Sequence, residues 1–107
     1  MQYRVEDSFR EWAEPLCEAF LSCSDNSDLL LRFLRDLWTP DEAEKFSQRW
    51  RVAQQLLDGV PPGVVAKNLD ISPGFVKAVS KFAVAPFQTG GYKEVYQRVQ
   101  EKHPHSK

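Results

Sequence analysis

The chain has 107 residues, a formal net charge of −1 and a 42% hydrophobic fraction that includes three Trp, seven Phe and three Tyr. This length predicts one domain, small enough that a partner subunit would add useful burial, and so many rings in a small helical protein predict that some lie between subunits. No apolar run, Leu29 to Leu31 among them, is anywhere near long enough to span a bilayer, and no charged segment followed by an apolar stretch opens the chain, so a soluble, cytoplasmic protein with no membrane partner is expected. Cys17 and Cys23 are six apart, neither a metal-ligand nor a disulfide spacing, which fits a reducing compartment.

Residues 1–6 carry little pattern and read as a flexible arm. From Asp7 or Ser8 a first helix is predicted by Phe9, Trp12, Leu16, Ala19, Phe20 and Cys23 at helical spacing, with a kink or break expected near Glu14 because Pro15 cannot donate to the preceding turn. Residues 24–26 read as a turn. A second helix starts at Ser27 or Asp28, with Leu30, Phe33, Leu34 and Leu37 on one stripe and Leu29 and Leu31 widening it. A stripe that wide needs more than one partner.

Thr39-Pro40-Asp41-Glu42 is a capping box: Thr at the N-cap, Pro at the first helical position, and Glu three residues after Thr. The helix it starts is expected to run to Asp58, with Phe46, Trp50, Ala53, Leu56 and Leu57 inward and Gly59 as its stop. Residues 7–59 are thus expected to form the core helices of a dimer. Val60-Pro61-Pro62-Gly63 is a stiff elbow into residues 60–84, where two short apolar helical patterns, 64–69 and 73–84, are separated by Asp70-Ile71-Ser72, a gap of helix-turn-helix length. Val65, Ala66, Leu69, Ile71, Val76, Val79 and Ala83 are predicted to share a core. Ser72 is the N-cap and Pro73 the first position of the second helix, and Asp70 stands where a left-handed backbone is needed. A plain two-helix corner would show the same periodicity; the outward residues Gly74, Phe75, Lys77, Ala78 and Lys81 favour a DNA-reading helix.

Residues 85–91 read as a loop from their Pro and Gly content, and residues 92–102 as a last helix with Tyr92, Val95, Tyr96 and Val99 on one face. The tail, 103–107, contains His103 and His105 but no third ligand, so it reads as disordered and no metal is expected. The architecture is all-α, six helices and no strand. No phosphate loop and no nucleophile-base pairing emerge from spacing, so no enzyme is expected. Charge is uneven: residues 1–59 hold seven Lys/Arg against twelve Asp/Glu, and residues 60–107 hold seven against three. The positive potential therefore lies on the half with the proposed reading helix.

With these motifs placed, residues 37–98 resemble the Trp repressor superfamily. The resemblance is carried by Leu37-Trp38-Thr39-Pro40-Asp41-Glu42, by Gln48-Arg49-Trp50-Arg51-Val52 with Leu56-Leu57-Asp58-Gly59, and by the two-helix motif; TGGYKEVYQRV, residues 89–99, looks more like the shorter YerC/YecD-type branch. It implies a six-helix Trp-repressor-like fold with a helix-turn-helix, an intertwined homodimer, and transcriptional regulation, repressor-like, on a palindromic double-stranded operator. For DNA contact, the expected residues are Lys67, Ser72, Gly74, Phe75, Lys77, Ala78 and Lys81, with Lys77 reaching a base edge or phosphate and Lys67 and Lys81 positioning the backbone.

In tryptophan-responsive members a polar pocket holds the free amino acid, with one arginine from each of two helices. Arg49 matches the first arginine, and Leu37 and Thr39 match the edge that contributes backbone groups. Ala78 stands at the second arginine position and Phe82 at a serine position. A carboxylate needs a charge-assisted donor to leave water, so L-tryptophan is not expected as corepressor, no cofactor is expected, and Phe82, with Trp38 or Trp50, is expected to fill the space. The alternative kept open is a helical dimerisation or protein-interaction module derived from this fold that no longer reads DNA.

Overall fold

In the computed structural model residues 5–84 and 89–102 are described; the expectations for residues 1–4, for 85–88 of the predicted loop and for the tail 103–107 lie outside them. The described residues form six helices and no strand: α1 (Asp7–Ser22), α2 (Ser27–Leu37), α3 (Pro40–Leu57), α4 (Pro62–Leu69), α5 (Pro73–Ala83) and α6 (Gly91–Lys102). They fall into two compact units, Arg4–Ser47 and the chain from Gln48 onward.

In the unit Arg4–Ser47, α1 is not broken at Pro15. The carbonyl of Glu11, which Pro15 leaves without its helical donor, belongs to an exposed residue and can be met by water, so the helix continues. The turn that follows brings Phe20 edge-to-face with Phe33 of α2, centroids 6.0 Å apart, and Cys23 is buried beside it in sequence at the helix end. The Asn26 side chain caps α2 by accepting from the Leu29 N–H at 3.0 Å. The Thr39 box forms in both directions: Thr39 Oγ1 accepts from the Glu42 N–H at 3.2 Å, and Glu42 Oε1 accepts from the Thr39 N–H at 2.9 Å. Trp38 stacks on Phe46 at 4.8 Å, so Phe46, expected inward, is 42% exposed. Neither α1 nor α2 contains a buried residue.

The unit from Gln48 has a closed core. Val52, Ala53, Leu56, Val65, Ala66, Val76, Val79 and Ala83 form one buried cluster, with Trp50, Val60, Leu69, Ile71, Phe75 and Tyr92 around it. Each fully buried valine, Val52, Val65 and Val76, contributes about 1.5–3 kcal/mol of transfer free energy. Every residue predicted to join the two short helices to a shared core does so. Helices α3 and α4 end alike. The Val60 N–H bonds the Gln55 carbonyl and the Gly59 N–H the Leu56 carbonyl, both at 3.0 Å; the Ile71 N–H bonds Ala66 at 3.0 Å and the Asp70 N–H bonds Lys67 at 3.4 Å. This closure needs a left-handed residue past the helix end, and Gly59 (φ 91°) and Asp70 (φ 53°) supply it. Asp70 is the one non-glycine residue with positive φ among the described residues, as its position in the turn predicted.

Candidate nucleic-acid interface

The turn Asp70-Ile71-Ser72 sets how α5 emerges. Ile71 lies against the core, and the Ser72 hydroxyl accepts from the Phe75 N–H at 3.2 Å. Pro73 then occupies the first turn, where its missing N–H costs nothing. From there the helical period divides the residues. Val76, Val79 and Ala83 are buried; Gly74, Lys77, Ala78 and Lys81 are exposed on the opposite side. Lys77 and Lys81 are one turn apart, as are Gly74 and Ala78, so a basic row runs beside a row with almost no side chain. A methyl group added at Gly74 would meet nothing within 4 Å. The smoothness of that row is therefore not required by the chain's own packing.

The remaining expected contact residues are placed less simply. Lys67 is exposed on α4. Ser72 is exposed but its hydroxyl is engaged in the cap. Phe75 leans on the core cluster and is half-buried, so only part of its ring is open to solvent.

The expected ligand-pocket residues are divided between the two units: Leu37 and Thr39 in Arg4–Ser47, and Arg49, Ala78 and Phe82 in the other. Thr39 uses its hydroxyl in the capping box. Phe82 does not fill a space in its own chain, being 57% exposed. It sits on the solvent side of α5, between the buried stripe and Ala78 in helical phase. Of the two tryptophans expected beside it, Trp38, in the other unit, stacks on Phe46, and Trp50 stacks on Tyr92 with centroids 6.3 Å apart and planes 11° from parallel.

Sequence reasoning missed one set of contacts on α6. The Tyr96 hydroxyl donates to the Asp58 carboxylate, and this bond holds the phenol proton above the ordinary tyrosine pKa, with burial and the Asp58 charge acting the same way. Burial raises the pKa of Tyr92, partly opposed by the Arg49 charge. The available signal was the four-residue spacing of the two tyrosines, but nothing local names Trp50 and Asp58 as their partners.

Among the described residues no helix is long and apolar enough to cross a membrane, and no group of three or more His, Cys, Asp or Glu could hold a metal ion. Comparison with protein families gives a match over residues 11–80 to the family described as Trp repressor protein. The chain belongs to the Trp repressor protein family. The match runs from α1 into α5 and covers about two thirds of the sequence, including the capping box, the elbow, the Asp70 turn and most of α5; α6 lies beyond it. Trp repressor proteins are DNA-binding transcription regulators rather than enzymes. No curated protein and no solved structure matches the chain.

Proposed function

We propose that this member of the Trp repressor family is a homodimeric, sequence-specific transcription regulator that reads a palindromic operator through α4, the Asp70 turn and α5 used as a helix-turn-helix, without L-tryptophan as corepressor. The observation that carries it is the division of α5, which commits Val76, Val79 and Ala83 to the core and leaves Gly74, Lys77, Ala78 and Lys81 in solvent. A reading helix needs that geometry: one face anchored, the other free to enter a major groove about 12 Å wide. Lys77 and Lys81 supply charge for phosphates or guanine edges, and Lys67 adds to the positive balance of residues 60–107.

Support for a second copy comes from the Arg4–Ser47 unit. Phe9, Trp12 and Leu16 lie on one face of α1 at 52%, 81% and 39% exposure, and Leu31 of α2 is 67% exposed. Apolar side chains repeated along a helix face are expected to be covered in the working molecule. Two reading heads related by a twofold axis would engage half-sites about 34 Å apart.

Selection from random duplexes tests the reading. Enrichment of a palindrome, with Lys77→Ala lowering affinity about tenfold and flattening the salt dependence by about one phosphate contact, is the expected result. No enrichment at low salt would leave the protein-interaction reading in its place. Calorimetry with L-tryptophan should give no micromolar binding, since Ala78 offers the carboxylate no charge-assisted donor.

A further inference from the structure

Helix α5 is eleven residues long and buries one stripe. A helix of that length is marginal by itself, so its bearing depends on what its neighbours hold, beginning with the stripe Val76, Val79 and Ala83 in the core. Its roll decides which of Lys77, Ala78 and Lys81 faces outward. The second element packed on α5, besides α4, is α6.

Helix α6 contains no buried residue, so its place is not set by a core of its own. Two specific contacts attach it to α3: Tyr92, which also packs against the core cluster, stacks on Trp50 in the middle of the helix, and Tyr96 donates to Asp58 just past its end. The position of Asp58 is informative. A carboxylate just past the C-terminus of a helix faces the negative end of the dipole, which disfavours it, and the last turn of α3 has no basic residue to offset this. Tyr96 gives that carboxylate its donor.

We propose that α6 is a strap that sets the roll of α5, with Tyr92 and Tyr96 as positioning residues for DNA recognition although neither belongs to the reading face. The proposal deepens the DNA-binding reading and its functional half rests on it. The strap is anchored at two points one α6 turn apart, Tyr92 to the middle of α3 and Tyr96 beyond its end, and α6 also packs against α5. Freed from α3, α6 would leave α5 held by α4 and the core stripe alone.

The test uses the full chain carrying Tyr92→Leu, Tyr96→Phe, or both, with Asp58→Asn and Asp58→Leu as a matched pair. Amide hydrogen exchange should quicken severalfold in α5 of the double variant and remain unchanged in α4, and affinity for the selected palindrome should fall roughly tenfold at temperatures where the protein is fully folded. Asp58→Asn retains an oxygen acceptor and should behave as the parent, whereas Asp58→Leu should behave as Tyr96→Phe. Exchange that is unchanged, or that rises equally in α4 and α5, overturns the strap and leaves the tyrosines a merely structural role. Selective loosening of α5 with unaltered DNA affinity overturns the positioning role. If the parent protein selects no duplex, the DNA-binding reading fails, and the exchange comparison still decides whether α6 holds α5.

Discussion

Both halves of the molecule are built from amphipathic helices, yet the chain from Gln48 onward closes its apolar stripes on one another while Arg4–Ser47 leaves much of its own uncovered. In the first, eight residues from α3, α4 and α5 form one buried cluster. In the second, Phe20 meets Phe33, and Trp12, Leu21 and Leu31 remain 67% exposed or more. Charge divides the same way: Arg4–Ser47 holds five Lys/Arg against eleven Asp/Glu, and Gln48–Lys107 holds nine against four. One stretch of chain thus closes a core and is basic, and the other leaves apolar side chains exposed and is acidic. The contrast teaches that burial within the single chain and positive charge are concentrated in one half, and exposed apolar side chains and negative charge in the other.

The sharpest way to break the contrast is to give the closed core a charge. Val76→Asp places an unpaired carboxylate where the side chain is 1% exposed, and should cost about 3 kcal/mol or more, read as loss of cooperative thermal unfolding. Next in size is Trp12→Glu. Because Trp12 is 81% exposed, the substitution should change the stability of a lone chain by no more than about 0.5 kcal/mol, yet it should turn the dimer into a monomer in sedimentation equilibrium. A monomeric parent protein would refute the contrast from that side. Smaller again, Thr39→Ala removes one arm of the capping box and should lower the unfolding free energy by about 1 kcal/mol in denaturant titration.

The smallest effect sharpens the account of α6. Tyr96 holds its proton above the ordinary tyrosine value of about 10, chiefly through its bond to Asp58. The folded state therefore binds that proton more tightly than the unfolded chain, so the stabilisation is fully present below about pH 10 and is lost as pH rises through the raised value. Between pH 9 and 11 the parent should lose stability more steeply than Tyr96→Phe, a difference visible in thermal melts.

Much of this was legible in the residues. The Thr39 box, the Asp70 turn, the Ser72 cap and the stripe Val65, Ala66, Val76, Val79, Ala83 depend on short-range spacing and backbone preference, which a single sequence carries. The inward face of α3 was drawn too far toward its bulky rings. Trp50 does pack against the core cluster, but Phe46 stacks on Trp38 and is 42% exposed, and Val52, which is fully buried, went unnoticed. Pro15 was read by its usual helix-breaking habit, but an exposed carbonyl lets water replace the lost bond. Gly74, Lys77, Ala78 and Lys81 were legible as an outward face of α5, whereas Phe75, read as outward, is half-buried against the core. Phe82, expected from its size and family position to fill a pocket, is 57% exposed in the single chain. The link between Tyr96 and Asp58 spans 38 residues and had no local sign.

The three tryptophans occupy three different surroundings: Trp12 open to water, Trp38 against Phe46, and Trp50 against Tyr92. An indole in water emits at long wavelength and is reached by dissolved quenchers, while one packed against another ring is partly shielded. Trp12 is therefore a natural optical label, and if a second subunit covers that face of α1, as the proposed dimer requires, the colour of its emission upon dilution would follow assembly without any added dye.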